Sequence, residues 1–298
     1  MNRSIAAIVL CAFIAGVAEG QALPKKIEVE KVAEGVYVLY GNGGNIGVSA
    51  GPDGVILIDD QYAQATPQVL EALATLDKRP PRFVLNTHWH GDHTGGNENL
   101  AKQASVIVAH EGVRARMSTE QNSDFLKHKT PAAPPLALPV VTFNDGLSLH
   151  LNGEELRGYH APQAHTDGDT VVVFKKANVI HTGDVFFHGM YPFIDLDSGG
   201  SVSGLIAAVD KVLELADEKT RIIPGHGKLT DQAALASYRK MLVETSSRVQ
   251  LLVKSGKSLA EVQASKPNAD YDATLAWEFI SADFFAHTLY EDARRRVK

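Results

Sequence analysis

Only one cysteine occurs among the 298 residues. No internal disulfide can form, and no multi-cysteine metal site can exist. Basic side chains are also in deficit: 29 Lys and Arg stand against 35 Asp and Glu, a formal net charge of −6. No Lys/Arg-rich run offsets that balance, so the electrostatic footprint of a nucleic-acid binder is missing. Long apolar runs are scarce. The one at Ile5–Val17 is shorter than the ~20 residues a membrane span needs. Internal repeats and low-complexity linkers are absent. With 44% hydrophobic and 21% charged residues, neither a disordered nor a fibrous chain fits. What the chain has in quantity is histidine, 12 in all, and their placement carries the functional argument.

Residues 1–22 read as a secretory signal. Arg3 supplies the positive start, Ile5–Val17 the apolar run, and the small residues Ala18, Gly20 and Ala22 a cleavage site after Gly20 or Ala22. The competing reading is an uncleaved anchor. Cys11 follows Leu10 rather than Gly or Ala and lies mid-run, which argues against a lipoprotein. Cleavage removes Arg3 and Glu19, so the charge stays at −6, and it removes Cys11. The expected mature protein has no thiol, which suits an oxidising compartment. A periplasmic or secreted location follows as the expectation.

Beyond the signal, apolar periodicity predicts strands at 27–33, 36–40, 45–50 and 55–58, a helix at 64–76, and strands at 82–86 and 105–109. A helix is expected at 111–126. After the proline-rich stretch Pro131–Pro139, strands are expected at 140–143, 147–151, 156–159, 170–174 and 179–181. Asp145-Gly146 and Asn152-Gly153 serve as hairpin turns. A helix at 202–215, a strand at 221–223 and a largely helical stretch from Asp231 to Arg296, broken near Gly256 and Pro267, complete the pattern. Strand–helix–strand alternation predicts a layered α/β fold. The expected organisation is one domain at 23–230 with a helical extension at 231–298 packed on it. The aromatics of that extension, from Trp277 to Tyr290, would form the packed face.

The most informative segment is Asn86-Thr87-His88-Trp89-His90-Gly91-Asp92-His93-Thr94-Gly95-Gly96. Three histidines and an aspartate fall within six residues, directly after a strand. His88 and His90 are two apart, so an extended segment turns both the same way. Imidazole and carboxylate together suit Zn²⁺. One loop cannot fill two metal shells. Further ligand-type residues stand beside glycines at strand edges: His165 before Thr166-Asp167-Gly168, Asp184 after Gly183, and His226 between Gly225 and Gly227. His110, His128, His150 and His287 read as structural or surface residues; His160 and His181 lie nearer the ligands and could support them.

The ordered set HxHxDH, His, Gly-Asp and Gly-His-Gly resembles the metallo-β-lactamase-fold superfamily over roughly residues 30–230. The resemblance implies a four-layer αβ/βα sandwich with two metals at one edge. It implies His88, His90 and His165 on the first metal, Asp92, His93 and His226 on the second, and Asp184 bridging. Asp59 would support the ligand loop without touching metal. The implied cofactors are two zinc ions, with iron or manganese as alternatives. Asp184, where the cysteine-ligated lactamases carry Cys, is similar to glyoxalase II, lactonases and other general hydrolases of the superfamily. The glutathione-binding region of glyoxalase II is not identifiable here.

What the resemblance implies chemically is hydrolysis. Zinc lowers the pKa of bound water from roughly 15.7 to about 7, giving a hydroxide that attacks a carbonyl carbon. Asp92 would orient that hydroxide and shuttle a proton. His188 or Tyr191, in the apolar segment after Asp184, would donate to the developing oxyanion, and Gly41–Asn45 would form a short flap. The leading reading is a secreted zinc hydrolase of a cyclic or activated amide or ester, with β-lactams included. The alternatives are an iron-dependent persulfide dioxygenase, a glyoxalase II-like thioesterase, and a metal-binding protein without turnover. The expected partner is a small-molecule substrate, with no nucleic acid and no stable membrane association after signal cleavage. The oligomeric state is left open.

Overall fold

In strand β4 (Gly54–Ile58), Val55 and Leu57 face one side and Ile56 and Ile58 the other, and all are buried. A strand buried on both faces needs cover on both sides, and that requirement sets the architecture. The computed structural model describes residues 26–297; the expected signal peptide lies outside the described residues.

The first sheet joins β1 (Glu28–Ala33), β2 (Val36–Tyr40), β3 (Ile46–Gly51) and β4 as an antiparallel meander. It continues in parallel through β5 (Phe83–Leu85), β6 (Val106–His110) and β9 (Val141–Phe143). Helix α1 (Thr66–Leu73) makes the crossover from β4 to β5. It starts two residues later than apolar spacing alone suggests, with Pro67 in its first turn after a 3₁₀ turn at Ala63–Ala65. Proline at a helix start loses no hydrogen bond. The second sheet runs β10 (Gly146–Leu151), β11 (Glu154–Ala161), β12 (Asp169–Phe174), β13 (Val179–His181), β14 (Arg221–Ile223) and β15 (Thr230–Asp231). Only β13 and β14 are parallel in it, and helix α5 (Val202–Leu215) crosses between them.

Three clusters make the layers. Val36, Val38, Ile56, Ile58 and Val108 of the first sheet meet Leu156, Val172, Phe174 and Ile223 of the second. The outer face of the first sheet packs Leu57 and Val84 on Val69 and Leu73 of α1. The outer face of the second packs Val171, Val173 and Ile180 on Leu205 and Val209 of α5. Helices α6 (Gln232–Lys254) and α9 (Ala282–Val297) join that last cluster through Leu235, Leu242, Phe285 and Leu289. The result is helix, sheet, sheet, helix, the four-layer αβ/βα sandwich.

Phe174 sits fully buried between the sheets. Phe174→Ala is expected to cost about 3–5 kcal/mol, the range for emptying a buried aromatic site. Urea unfolding checks it: the midpoint should fall with little change in slope.

One expected helix is cut short. The helix predicted over 111–126 ends as α4 (Glu111–Met117), and a hairpin of β7 (Gln121–Ser123) and β8 (His128–Thr130) follows. Short polar side chains compete with helical hydrogen bonds, and they do so here. Gln121 Nε2 donates to the Arg116 and Thr119 carbonyls, and Asp197 Oδ2 accepts from Ser123 Oγ and the Phe125 amide.

Candidate metal centre

Strands β4, β5, β13 and β14 all end at one edge of the sandwich, and β12, antiparallel to β13, begins there. Carboxyl ends of parallel strands open a natural crevice. Asp59 follows β4, the 86–90 segment follows β5, His165 precedes β12, Asp184 follows β13, and His226 follows β14. Helix α2 (Gly91–Thr94) then carries Asp92 and His93.

The seven candidates meet as two groups. His88, His90, His165 and Asp184 form one, and Asp92, His93 and His226 the other; within each group the ligand atoms lie within 4.8 Å of one another. His90 Nδ1 is 3.1 Å from His88 Nε2 and 2.9 Å from His165 Nε2. His93 Nε2 is 3.4 Å from His226 Nε2, and Asp92 Oδ2 is 3.3 Å from His226 Nε2. Asp184 stands between the groups. Its Oδ2 lies 3.5 Å from both His165 and His226 Nε2, and its Oδ1 lies 3.1 Å from His93 Nε2.

The outward nitrogens decide the tautomers. His93 Nδ1 donates to Asp59 Oδ2 at 2.7 Å, and His165 Nδ1 to the Phe193 carbonyl at 2.8 Å. His90 Nε2 donates to Asp195 Oδ2 at 3.0 Å. Thr87 gives its hydroxyl proton to Asp59 Oδ2, so its oxygen accepts from His88 Nδ1 at 3.1 Å. His88, His90 and His165 therefore turn a proton-free nitrogen toward the centre, and His93 does so once a cation takes the place of its second proton. Unprotonated nitrogens cannot hydrogen-bond one another, whereas a cation satisfies them all. Nitrogens on one tetrahedral zinc, each at about 2.0–2.1 Å, sit roughly 3.4 Å apart, close to the separations here. Asp184 Oδ1 is buried without an aligned hydrogen bond, as a waiting ligand would be. The donor set fits two divalent cations.

Electrostatics agree. Burial, then the neighbouring imidazole of His93, holds His88 well below the ordinary histidine range, and burial pushes His165 down to about 4. For His226 burial acts downward, but Asp184 and Asp92 outweigh it and lift the ring to about 9. His93 is lifted against burial by Asp184, Asp92 and Asp59. Asp184 and Asp92 stay below the usual carboxylate range; burial opposes this, and the imidazoles prevail.

Close packing around the cluster explains two glycines. A Cβ on Gly44 would overlap the His93 ring, and one on Gly225 would overlap the Asp184 carboxylate. The expected flap at 41–45 is stitched down: the Gly44 amide donates to the Asp92 carbonyl, and Asn45 bonds the Pro224, Gly225 and Gly227 carbonyls. His181 Nε2 donates to the Asn45 carbonyl, so it supports the site's floor. His160 stacks on His110 at 3.9 Å.

Asp59 takes the supporting place expected for it. Asp195 was not legible as a supporter. Its signal was local: Oδ1 accepts the Asp197 and Ser198 amides, the capping pattern of an Asp before a tight turn, which hides the use of Oδ2. Asp195→Ala is expected to weaken metal affinity about 10- to 100-fold, the usual effect of losing a ligand's orienting partner. Competition against a chromophoric chelator measures it.

Tyr191 requires correction. It is fully buried, its hydroxyl donates to Asp272 Oδ1 at 2.8 Å, and its ring stacks on Phe285. It anchors the C-terminal helices and cannot reach a substrate. His188 is half-buried, but its Nδ1 donates to the Lys228 carbonyl at 2.8 Å, which turns the ring toward 228–230. The oxyanion-donor role expected of this pair therefore has no support in their hydrogen bonding.

A family model described as the metallo-beta-lactamase superfamily matches residues 39–226, a span that contains all seven clustered residues. A lactamase-like protein of Arthroderma gypseum is 27% identical over 193 residues, covering 61% of this chain and 55% of that protein. The chain thus spans about half of that relative's length. A hydroxyacylglutathione hydrolase of Nitrosococcus oceani is 27% identical over 218 residues, covering 72% of each. Among solved structures, a metallo-beta-lactamase from Pontibacter korlensis superposes with a TM-score of 0.59 at 20% identity, covering 72% of this chain and 98% of that one.

Proposed function

Since this chain belongs to the metallo-beta-lactamase superfamily, whose members are mostly metal-dependent hydrolases, we propose that it is an exported two-zinc enzyme that opens a cyclic or activated amide or ester, β-lactams included. The observation that carries the reading is the position of Asp184, a carboxylate reaching both ligand groups in a cluster otherwise rich in imidazole. Two such cations supply Lewis-acid polarisation of a carbonyl and acidify a water. His88, His90 and His165 would hold one, Asp92, His93 and His226 the other, and Asp184 both.

The chain's own residues do the rest. Asp59, Thr87, Asp195 and the Phe193 carbonyl fix the imidazoles before any substrate arrives, so no reorganisation is needed during the reaction. His90, Asp92 and His226 are 16%, 20% and 20% exposed, whereas His88, His93 and His165 are sealed. Substrate therefore approaches from the side on which His90, Asp92 and His226 open. Asp92 stays ionised through neutral pH, so its carboxylate can accept a hydrogen bond from an attacking water and orient it.

The 72% mutual coverage with the hydroxyacylglutathione hydrolase favours thioesters as a second substrate class. Purified protein should carry about two metal equivalents and turn over at least one of nitrocefin, a lactone or a glutathione thioester, and chelation should abolish that turnover. Chelator-resistant hydrolysis would remove the metal mechanism. Turnover of the thioester alone would move the reading to the second class.

A further inference from the structure

The groups that fix two imidazoles of the first metal group share one segment. The Phe193 carbonyl accepts from His165 Nδ1, Asp195 Oδ2 accepts from His90 Nε2, and the Asp195 amide donates to the His165 carbonyl. The segment then turns sharply. Gly199 (φ 78°) lies in the left-handed region, and a Cβ on Gly200 would lie 2.2 Å from the His165 oxygen. Helix α5 begins just beyond, at Val202.

The C-terminal extension fastens this segment along its length. The Tyr191 amide donates to the Leu275 carbonyl, and the Tyr191 carbonyl accepts from Trp277 Nε1 at 3.0 Å. The Phe193 and Phe279 rings lie 5.5 Å apart. Arg295 donates to the Leu196 carbonyl and, at 2.9 Å, to Asp197 Oδ1. Asp292, only 4% exposed, accepts from the Val202 amide at 3.0 Å. Asp292 and Arg295 are three apart on α9, so they share a face and grip the turn at both ends. Among the described residues, the extension supplies no member of either ligand group, and it lies beyond residues 39–226, which carry the family match. The second group is held by other segments: Asp59, after β4, orients His93, and the Gly44 amide donates to the Asp92 carbonyl.

We propose that the last turns of α9 are a clamp that sets the metal affinity of the first group, with Arg295 as a positioning residue that acts through Asp195. This rests on the two-cation reading of the centre and is independent of the substrate. Metal affinity depends on how firmly each ligand's partner holds it. Asp195 keeps Oδ2 on His90 only while its Oδ1 stays under the Asp197 and Ser198 amides. Arg295 holds Leu196 and Asp197 in that turn. An exposed ion pair such as Arg295–Asp197 adds little to global stability, so its loss should register at the metal rather than in the fold.

The test titrates the metal-free full chain with Zn²⁺ against a chromophoric chelator. Losing a ligand's orienting partner outright costs about 10- to 100-fold in affinity; acting one bond further out, Arg295→Ala should weaken one equivalent about three- to tenfold. The other equivalent should keep its wild-type affinity. The weakened equivalent should be the one that Asp195→Ala also weakens. In the Asp195→Ala background, Arg295→Ala should add little, because the residue it acts through is gone. A merely structural role would instead lower both equivalents and the Tm of the metal-free protein together. Wild-type Zn²⁺ affinity in Arg295→Ala, equal weakening of both equivalents, or losses that add across the two variants would overturn the proposal. A wild type that takes up a single equivalent would remove the two-cation reading, and the clamp with it.

Discussion

His88→Ala is expected to lower kcat/KM by about 10³-fold or more and to leave the protein short of metal. His88 is fully buried, its Nδ1 is engaged by Thr87, and its Nε2 faces His90 and Asp184. Alanine leaves a hole that water can enter but cannot fill with a lone pair of fixed direction. The first group then has two imidazoles and a shared carboxylate. Lewis-acid stabilisation is worth several kcal/mol, and each 1.36 kcal/mol is a factor of ten in rate, which sets the scale of the loss. The fold should survive, because His88 stands at the sandwich edge and belongs to none of the apolar clusters. His188→Ala is the matched control. Its ring is spent on the Lys228 carbonyl, so its effect should stay within a few-fold. Metal analysis and steady-state kinetics on both variants decide the matter. Full activity in His88→Ala would exclude the cluster from the chemistry.

The contrast between these two histidines shows what the sequence could and could not display. His88 was legible because ligand chemistry needs several donors at close spacing after a strand, and HxHxDH supplies them within six residues. The sheets were legible for a similar reason. Runs such as Val55–Ile58 and Thr170–Phe174 are apolar on both faces, which only a covered strand tolerates. Tyr191 misled because proximity to Asp184 along the chain says nothing about the direction of a side chain. Its hydroxyl found Asp272, 81 residues away, and no local pattern announces such a partner. Asp195 and the Phe193 carbonyl are the same case in reverse: both orient ligands over long separations. The hairpin at 121–130 was hidden because its stabilising contacts, Asp197 and Phe284, also come from distant segments.

Stripping the metals is expected to lower Tm by roughly 5–10 °C at neutral pH, and the gap should widen as pH rises. A ligand at about 100 times its Kd stabilises by ~2.7 kcal/mol. At about 2–4 °C per kcal/mol for chains somewhat shorter than this one, a single cation accounts for most of that range. The pH trend follows from what replaces the cations. In the metal-free protein the carboxylates of Asp184 and Asp92 draw protons onto His226 and His93, and His226 is lifted to about 9. A histidine whose folded pKa is raised stabilises fully below its unfolded value of about 6.5 and loses that contribution as pH climbs through the folded value. Protons thus stand in for metal at pH 6.5, and by pH 9, where His226 is about half protonated, most of the stability its proton contributes has been lost. Over the same window the two carboxylates remain ionised, and His88 and His165, held below the ordinary range by burial, remain neutral. The slope that His88 and His165 give stability near pH 6.5 comes from the unfolded chain, is common to both forms and cancels from the gap. The metal-loaded protein needs no protons there, and its ligands bind more firmly as competing protons leave. Scanning calorimetry of both forms from pH 6.5 to 9 should show the curves diverging. Parallel curves, or a gap that closes with rising pH, would mean that the buried carboxylates are not neutralised by the metals.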